Sequence, residues 1–164
     1  MSRRLLTSAG RIGALPNPSG RRLVARRHGR AEGRLLGGNL SLLVSNLGTP
    51  FSPDYRGALL VLEDVGEQFH RVDRMFTQLR NAGVLAQISG LLFGYFTDCA
   101  PSKPKDPHLS LKQIFAEVLS RVDVPVVERF QYGHIPRKLT IPLGVRVRLD
   151  ADKGRVEGLE SAVV

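Results

Sequence analysis

The hydrophobic positions of this chain fall into two periods, and the change between them lays out the fold. Ala58 to Leu62 is an unbroken apolar run, of the kind found in strands buried on both faces. After the polar pair Glu63-Asp64 and a turn at Val65-Gly66, the period lengthens. Phe69, Val72, Met75, Phe76 and Leu79 then share one helical face, which predicts a helix from Glu67 to about Asn81 with Gly83 suited to its left-handed cap. Leu91 to Phe96 predicts a second strong strand. Leu111, Ile114, Phe115, Val118 and Leu119 predict a second helix, opened by Ser110 and Gln113 at capping-box spacing.

Weaker signals surround this centre. Leu23-Val24-Ala25, Leu35-Leu36 and Val124 to Val127 read as short strands. Asn39 stands where it can cap an apolar helix running from Leu40 to Leu47. The three prolines between Ala100 and Leu109 mark a surface loop, and Gln131 to Arg137 form another. Toward the end, Val145, Val147 and Leu149 alternate with Arg146, Arg148 and Asp150, and Asp152-Lys153-Gly154 turns the chain into Val156 to Leu159. That is an antiparallel hairpin with one wet face. Alternating strands and helices closed by a hairpin predict an α/β domain with a mixed sheet.

Composition narrows the class without naming a chemistry. With 164 residues, 42% of them apolar and 24% charged, the chain suits one soluble globular domain. No apolar run nears the roughly 20 residues that cross a bilayer, and no membrane partner is expected. The net charge of +9 sits almost wholly at the front. Residues 1–34 hold nine arginines and one acid, which is +8, and the rest hold 15 basic against 14 acidic side chains, which is +1. Without a basic stripe interleaved with aromatics or a recognition helix, nucleic acid is not expected as a partner. Residues 1–20, rich in Arg and Ser, read as an irregular leader, with an organellar transit peptide or an abnormal start inside a longer reading frame as alternatives.

Candidate chemistry lies at strand ends. Glu63 and Asp64 stand where a buried strand should emerge, at the edge where such folds bind ligands, although Asp64 also suits a capping role. His134 lies in a tight loop between Gly133 and Pro136, while His28, His70 and His108 have no telling neighbours. Cys99, the single cysteine, reads as a small filler. The scattered histidines argue for no metal, and no phosphate-binding glycine loop is present.

Several segments, in order and correctly spaced from about residue 21 to 160, together resemble the LD-carboxypeptidase family of murein tetrapeptide carboxypeptidases and microcin self-immunity hydrolases. They are Arg30 to Leu40, Leu47-Gly48-Thr49-Pro50, Leu62-Glu63-Asp64 with Arg71 to Met75, Tyr132-Gly133-His134, and Leu139 to Gly144. The resemblance implies the family's swivelling β/β/α arrangement and, for residues 21–164, its carboxyl-terminal domain. It further implies a cytoplasmic serine hydrolase of peptidoglycan recycling that needs neither metal nor cofactor. That enzyme cleaves the bond between diaminopimelate (or lysine) and D-alanine in muropeptides through a Ser-Glu-His triad, with Glu63 and His134 as two members. Gly38 and Asn39 are the implied substrate-binding positions. None of the eleven serines lies on a nucleophile elbow. The resemblance implies that the nucleophile sits on an amino-terminal domain, expected here to be missing or separate, which leaves this chain silent alone. The alternatives are a non-catalytic muropeptide-binding module that docks such a half, and a homodimer.

Overall fold

The computed structural model describes Leu5, residues 7–18, Gly20 and residues 22–163. Its strands are β1 (Gly13–Ala14), β2 (Val24–Arg27), β3 (Arg30–Asn39), β4 (Leu59–Val65), β5 (Gly90–Thr97), β6 (Val126–Glu128), β7 (Arg146–Asp150) and β8 (Arg155–Gly158). The helices lying wholly within the described residues are α1 (Leu40–Ser45), α2 (Phe69–Asn81), α3 (Val84–Gln87) and α4 (Leu111–Ser120). Strand order is β1-β8-β7-β3-β4-β5-β6-β2. The run β3-β4-β5-β6 is parallel, and the other neighbours are antiparallel.

Strand β3 is the pivot of this mixed sheet. Its first half, Arg30 to Arg34, pairs with β7, and its second half, Leu35 to Asn39, pairs with β4. The antiparallel part can therefore swing over one face of the parallel part. Two cores result. Leu60 and Leu62 of β4 face Val72, Phe76 and Leu79 of α2 and Ile114 and Val118 of α4. Leu59 and Val61 face the other way, toward Val147, Leu149 and Val156 of the hairpin. Period-2 alternation along one fully buried strand thus separates a β/β/α stack into its two interiors.

The main elements follow the hydrophobic pattern. The Ser110–Gln113 capping box forms, and Asn39 caps α1 by accepting from Leu42 N–H. Gly83 adopts φ +75° at the end of α2. Besides helix α1 ending at Ser45 and α2 starting at Phe69, three details differ from the sequence reading. Strand β3 runs ten residues where only Leu35-Leu36 was expected. Glu63 and Asp64 lie inside β4, which continues to Val65. The short α3 was not foreseen.

The leader also differs in its described part. Residues 1–4, 6 and 19 of the expected 1–20 segment lie outside the described residues. Gly13–Ala14, however, pairs with β8, and Ile12 and Leu15 are buried in the second core, so this part is ordered against the domain.

Candidate active site

Two adjacent carboxylates leave β4 on opposite faces, and that parity decides their roles. Asp64 points to the helical side, where it accepts from Asn39 Nδ2 at 2.8 Å, Ser41 N–H at 3.0 Å and Val65 N–H at 2.8 Å. It is a structural acceptor that holds the start of α1. Glu63 points to the other side, toward the loop that carries His134.

The approach of that loop is built into both chains. Pairing of β4 with β5 slips by one residue between Leu62↔Phe93 and Asp64↔Phe96, a bulge on β5 at Gly94-Tyr95. The slip turns Tyr95 N–H away from β4, and it donates instead to Tyr132 O at 3.0 Å. Gly133, at φ +122°, crosses directly above Glu63; a Cβ there would lie 2.9 Å from Glu63 Oε2. The histidine loop is thus laid against the carboxylate at van der Waals distance, and only glycine fits.

His134 Nδ1 stands 2.8 Å from Glu63 Oε2. A carboxylate oxygen accepts, so Nδ1 is the donor in this contact and Nε2 is the ring nitrogen left free of Glu63. The exposures agree with that polarity: the Glu63 side chain is 4% exposed and that of His134 is 53%. An anchored acid behind an open imidazole can orient a base, hold its tautomer and stabilise its charged form. It supplies no nucleophile.

Of the two expected substrate-binding positions, Asn39 lies beside Glu63 in register. Its side chain is committed locally, accepting from Leu42 N–H and the Ser41 hydroxyl while donating to Asp64. Gly38 is more open, at φ +139°; a Cβ would sit 3.8 Å from the Tyr132 hydroxyl. Sequence reasoning assigned no role to Tyr132. Burial, and then the Glu63 charge, push its phenol above the ordinary tyrosine value, so it stays a protonated donor beside Gly38. Its adjacency to Gly133-His134 was the available signal.

The remaining candidates sit elsewhere. His28 meets Asp152 at 2.9 Å, and His108 meets the Asp106 carbonyl at 2.8 Å. Cys99 is half-buried, and burial raises its thiol above the usual range. Among the described residues no group of three or more His, Cys, Asp or Glu side chains is placed to hold a metal, and no helix is long and apolar enough to cross a membrane.

Residues 32–149 match the LD-carboxypeptidase C-terminal domain. The chain is 40% identical over 122 residues to a Bacillus subtilis protein named "probable murein peptide carboxypeptidase", covering 74% of this chain and 38% of the relative. It is 35% identical over 129 residues to the murein tetrapeptide carboxypeptidase of Pseudomonas aeruginosa, covering 77% and 40%. The crystal structure of muramoyltetrapeptide carboxypeptidase from Oxalobacter formigenes superposes with a TM-score of 0.78 at 30% identity, covering 96% of this chain and 53% of that one. The chain therefore spans about two fifths of the length of the curated relatives it matches. From its β/β/α layers to the match over residues 32–149, the chain belongs to the LD-carboxypeptidase family and carries that family's carboxyl-terminal domain.

Proposed function

We propose that Glu63 and His134 are two members of a Ser-Glu-His triad acting on muropeptides, and that the serine comes from outside residues 1–164. The carrying observation is the 2.8 Å contact between a buried carboxylate and an imidazole that is open on its other side. In this reading His134 Nε2 takes the proton of the incoming serine hydroxyl as its oxygen attacks the carbonyl of the bond to the terminal D-alanine. The protonated ring then passes that proton to the departing amine, and Glu63 stabilises the ring while it is charged. Water repeats the cycle on the acyl-enzyme and frees the serine. Gly38, Asn39 and Tyr132 would border the bound peptide, and the reaction would run in the cytoplasm as part of peptidoglycan recycling.

The hydroxyls of five described serines support an external nucleophile. Those of Ser45, Ser89 and Ser120 donate to backbone carbonyls, Ser41 donates to Asn39, and Ser110 closes the capping box. Each of these hydroxyls serves the fold locally.

The test is D-alanine release from murein tetrapeptide. The purified chain alone should release none. Adding a nucleophile-bearing amino-terminal half of a family member should restore release, and His134→Ala should then lower it by about 10⁴-fold or more, the range for losing a triad base. Release by the chain alone that depends on His134 would overturn the external nucleophile. Undiminished release by the His134→Ala pair would overturn the triad.

A further inference from the structure

We infer that Asn17, in the amino-terminal segment ahead of the matched domain, is a positioning residue for His134. Its importance for catalysis rests on the triad reading above, but the positioning itself does not. The Asn17 side chain reaches across to the stretch that leads into the histidine loop and grips it twice. Its Nδ2 donates to the Arg129 carbonyl at 3.1 Å, and its Oδ1 accepts from Gln131 N–H at 3.1 Å. One amide thus satisfies a donor and an acceptor two residues apart, as a neighbouring strand would.

What it grips needs holding. Arg129 has φ +64°, a left-handed conformation that a residue with a Cβ seldom adopts unaided. Gln131 is buried and gathers the loop from both ends. Its carbonyl accepts from Leu139 N–H at 2.6 Å, closing the loop at its far side, and its Nε2 donates to the Tyr95 hydroxyl at 2.7 Å. The next three residues are Tyr132, Gly133 and His134. Beyond Gln131, the His134 carbonyl accepts from Thr97 Oγ1 at 3.3 Å, a long contact at the exposed end. Asn17 therefore fixes the near end of the span whose far end must meet Glu63.

Asn17 is itself anchored. Leu15 N–H donates to the Val156 carbonyl at 2.8 Å, Ile12 N–H donates to the Glu160 carbonyl at 3.1 Å, and both side chains are buried in the core that also takes Phe130 and Leu139. Residues 12–17 form a strap from the hairpin edge to the base of the histidine loop. Its local pattern is that of an irregular leader, because its anchoring partners lie more than 110 residues away.

The experiment uses the full chain labelled with ¹⁵N, and follows the imidazole of His134 by NMR. In the unmodified chain the Nδ1 proton should appear as a hydrogen-bonded, exchange-protected resonance. Asn17→Ala should speed its exchange with water by about tenfold, as expected when a modest hydrogen-bond contribution is withdrawn. Asn17→Asp keeps the acceptor for Gln131 but loses the donor to Arg129, and should give an intermediate rate. Arg11→Ala, which removes a strap contact to the Gly158 carbonyl and leaves the grip intact, should not change it. If Asn17→Ala lowers overall stability too far to be read, the near-isosteric Asn17→Asp decides. Protection unchanged in Asn17→Asp, or lost equally in Arg11→Ala, would overturn the inference. An effect at His134 without any D-alanine release in the reconstituted assay would uphold the positioning and overturn only the catalytic reading.

Discussion

At the scale of single residues, the site is an arrangement of close approaches, each resting on one side chain or on the lack of one. Gly133 is the sharpest case. A methyl there would meet Glu63 Oε2 at 2.9 Å, Glu63 Cβ at 3.1 Å and the Tyr95 carbonyl at 3.1 Å, on a backbone with φ +122°. Gly133→Ala should therefore cost about 1–3 kcal/mol of stability from backbone strain alone, and should lengthen the His134–Glu63 contact. Chemical denaturation measures the first effect and the NMR signal of the Nδ1 proton the second. A substitution with neither consequence would show that the loop has room. Tyr132 supplies a pH test. Its pKa in the fold is raised, by burial first and then by Glu63, above the unfolded value of 10.0. A raised pKa means that the folded state holds the proton more tightly. Its stabilising contribution is complete below pH 10 and is lost as pH climbs toward the raised value. Tyr132→Phe should flatten the alkaline fall in melting temperature relative to the parent chain, and an unchanged slope would deny the phenol that role.

At the scale of elements, β4 shows what a sequence reveals and what it hides. The apolar run at Ala58 to Leu62 announces a strand buried on both sides, and the carboxylates after it mark the end where such a strand should emerge. Parity then follows from geometry, since neighbours in a strand face opposite ways. Which face would meet the histidine does not follow, because that depends on where β7 and β8 fold. The longer helices were legible for the same local reasons: periodicity, a capping box and a left-handed glycine. Strand β3 was hidden by its glycines, Gly33, Gly37 and Gly38, which weaken a strand signal. The fold requires at least Gly37, where a Cβ would fall 2.0 Å from the Val61 carbonyl as β3 and β4 converge. Helix α3, one turn long, and β1, two residues long, are set by tertiary contacts and carry no period of their own. Asp64 gives the element its test. It satisfies the Asn39 amide and two backbone N–H groups while buried, so Asp64→Ala should destabilise the chain by about 3 kcal/mol and loosen α1. The exposed pair of Asp54 with Arg56 is the control: the arginine holds the Asp54 carboxyl at about 2, yet both side chains lie largely in solvent. Asp54→Ala should leave the urea midpoint unchanged. Equal effects of the two substitutions would remove Asp64 from its structural role.

At the scale of the whole molecule, the uneven charge and the leader share one explanation. Arginines near the front pair with carboxylates far along the chain: Arg26 with Glu128 at 2.9 Å, Arg27 with Asp123 at 3.0 Å and Arg30 with Asp150 at 2.9 Å. Part of the basic excess of residues 1–34 is thus met by later elements. These pairs are partly exposed and contribute little individually. Burial is what ties the front of the chain down, since Ile12 and Leu15 enter the core between the two β layers. Burying a side chain of that size contributes about 1.5–3 kcal/mol, and ordering the segment offsets part of the sum. Deleting residues 2–16 while keeping Asn17 should therefore lower the unfolding free energy by about 3 kcal/mol, read from the denaturant midpoint. The same deletion should shrink the denaturant dependence of stability, because less apolar surface remains to be exposed. An irregular leader, as the local pattern alone suggested, would leave both quantities where they were. The two measurements together separate a segment that merely precedes the domain from one that completes its second core.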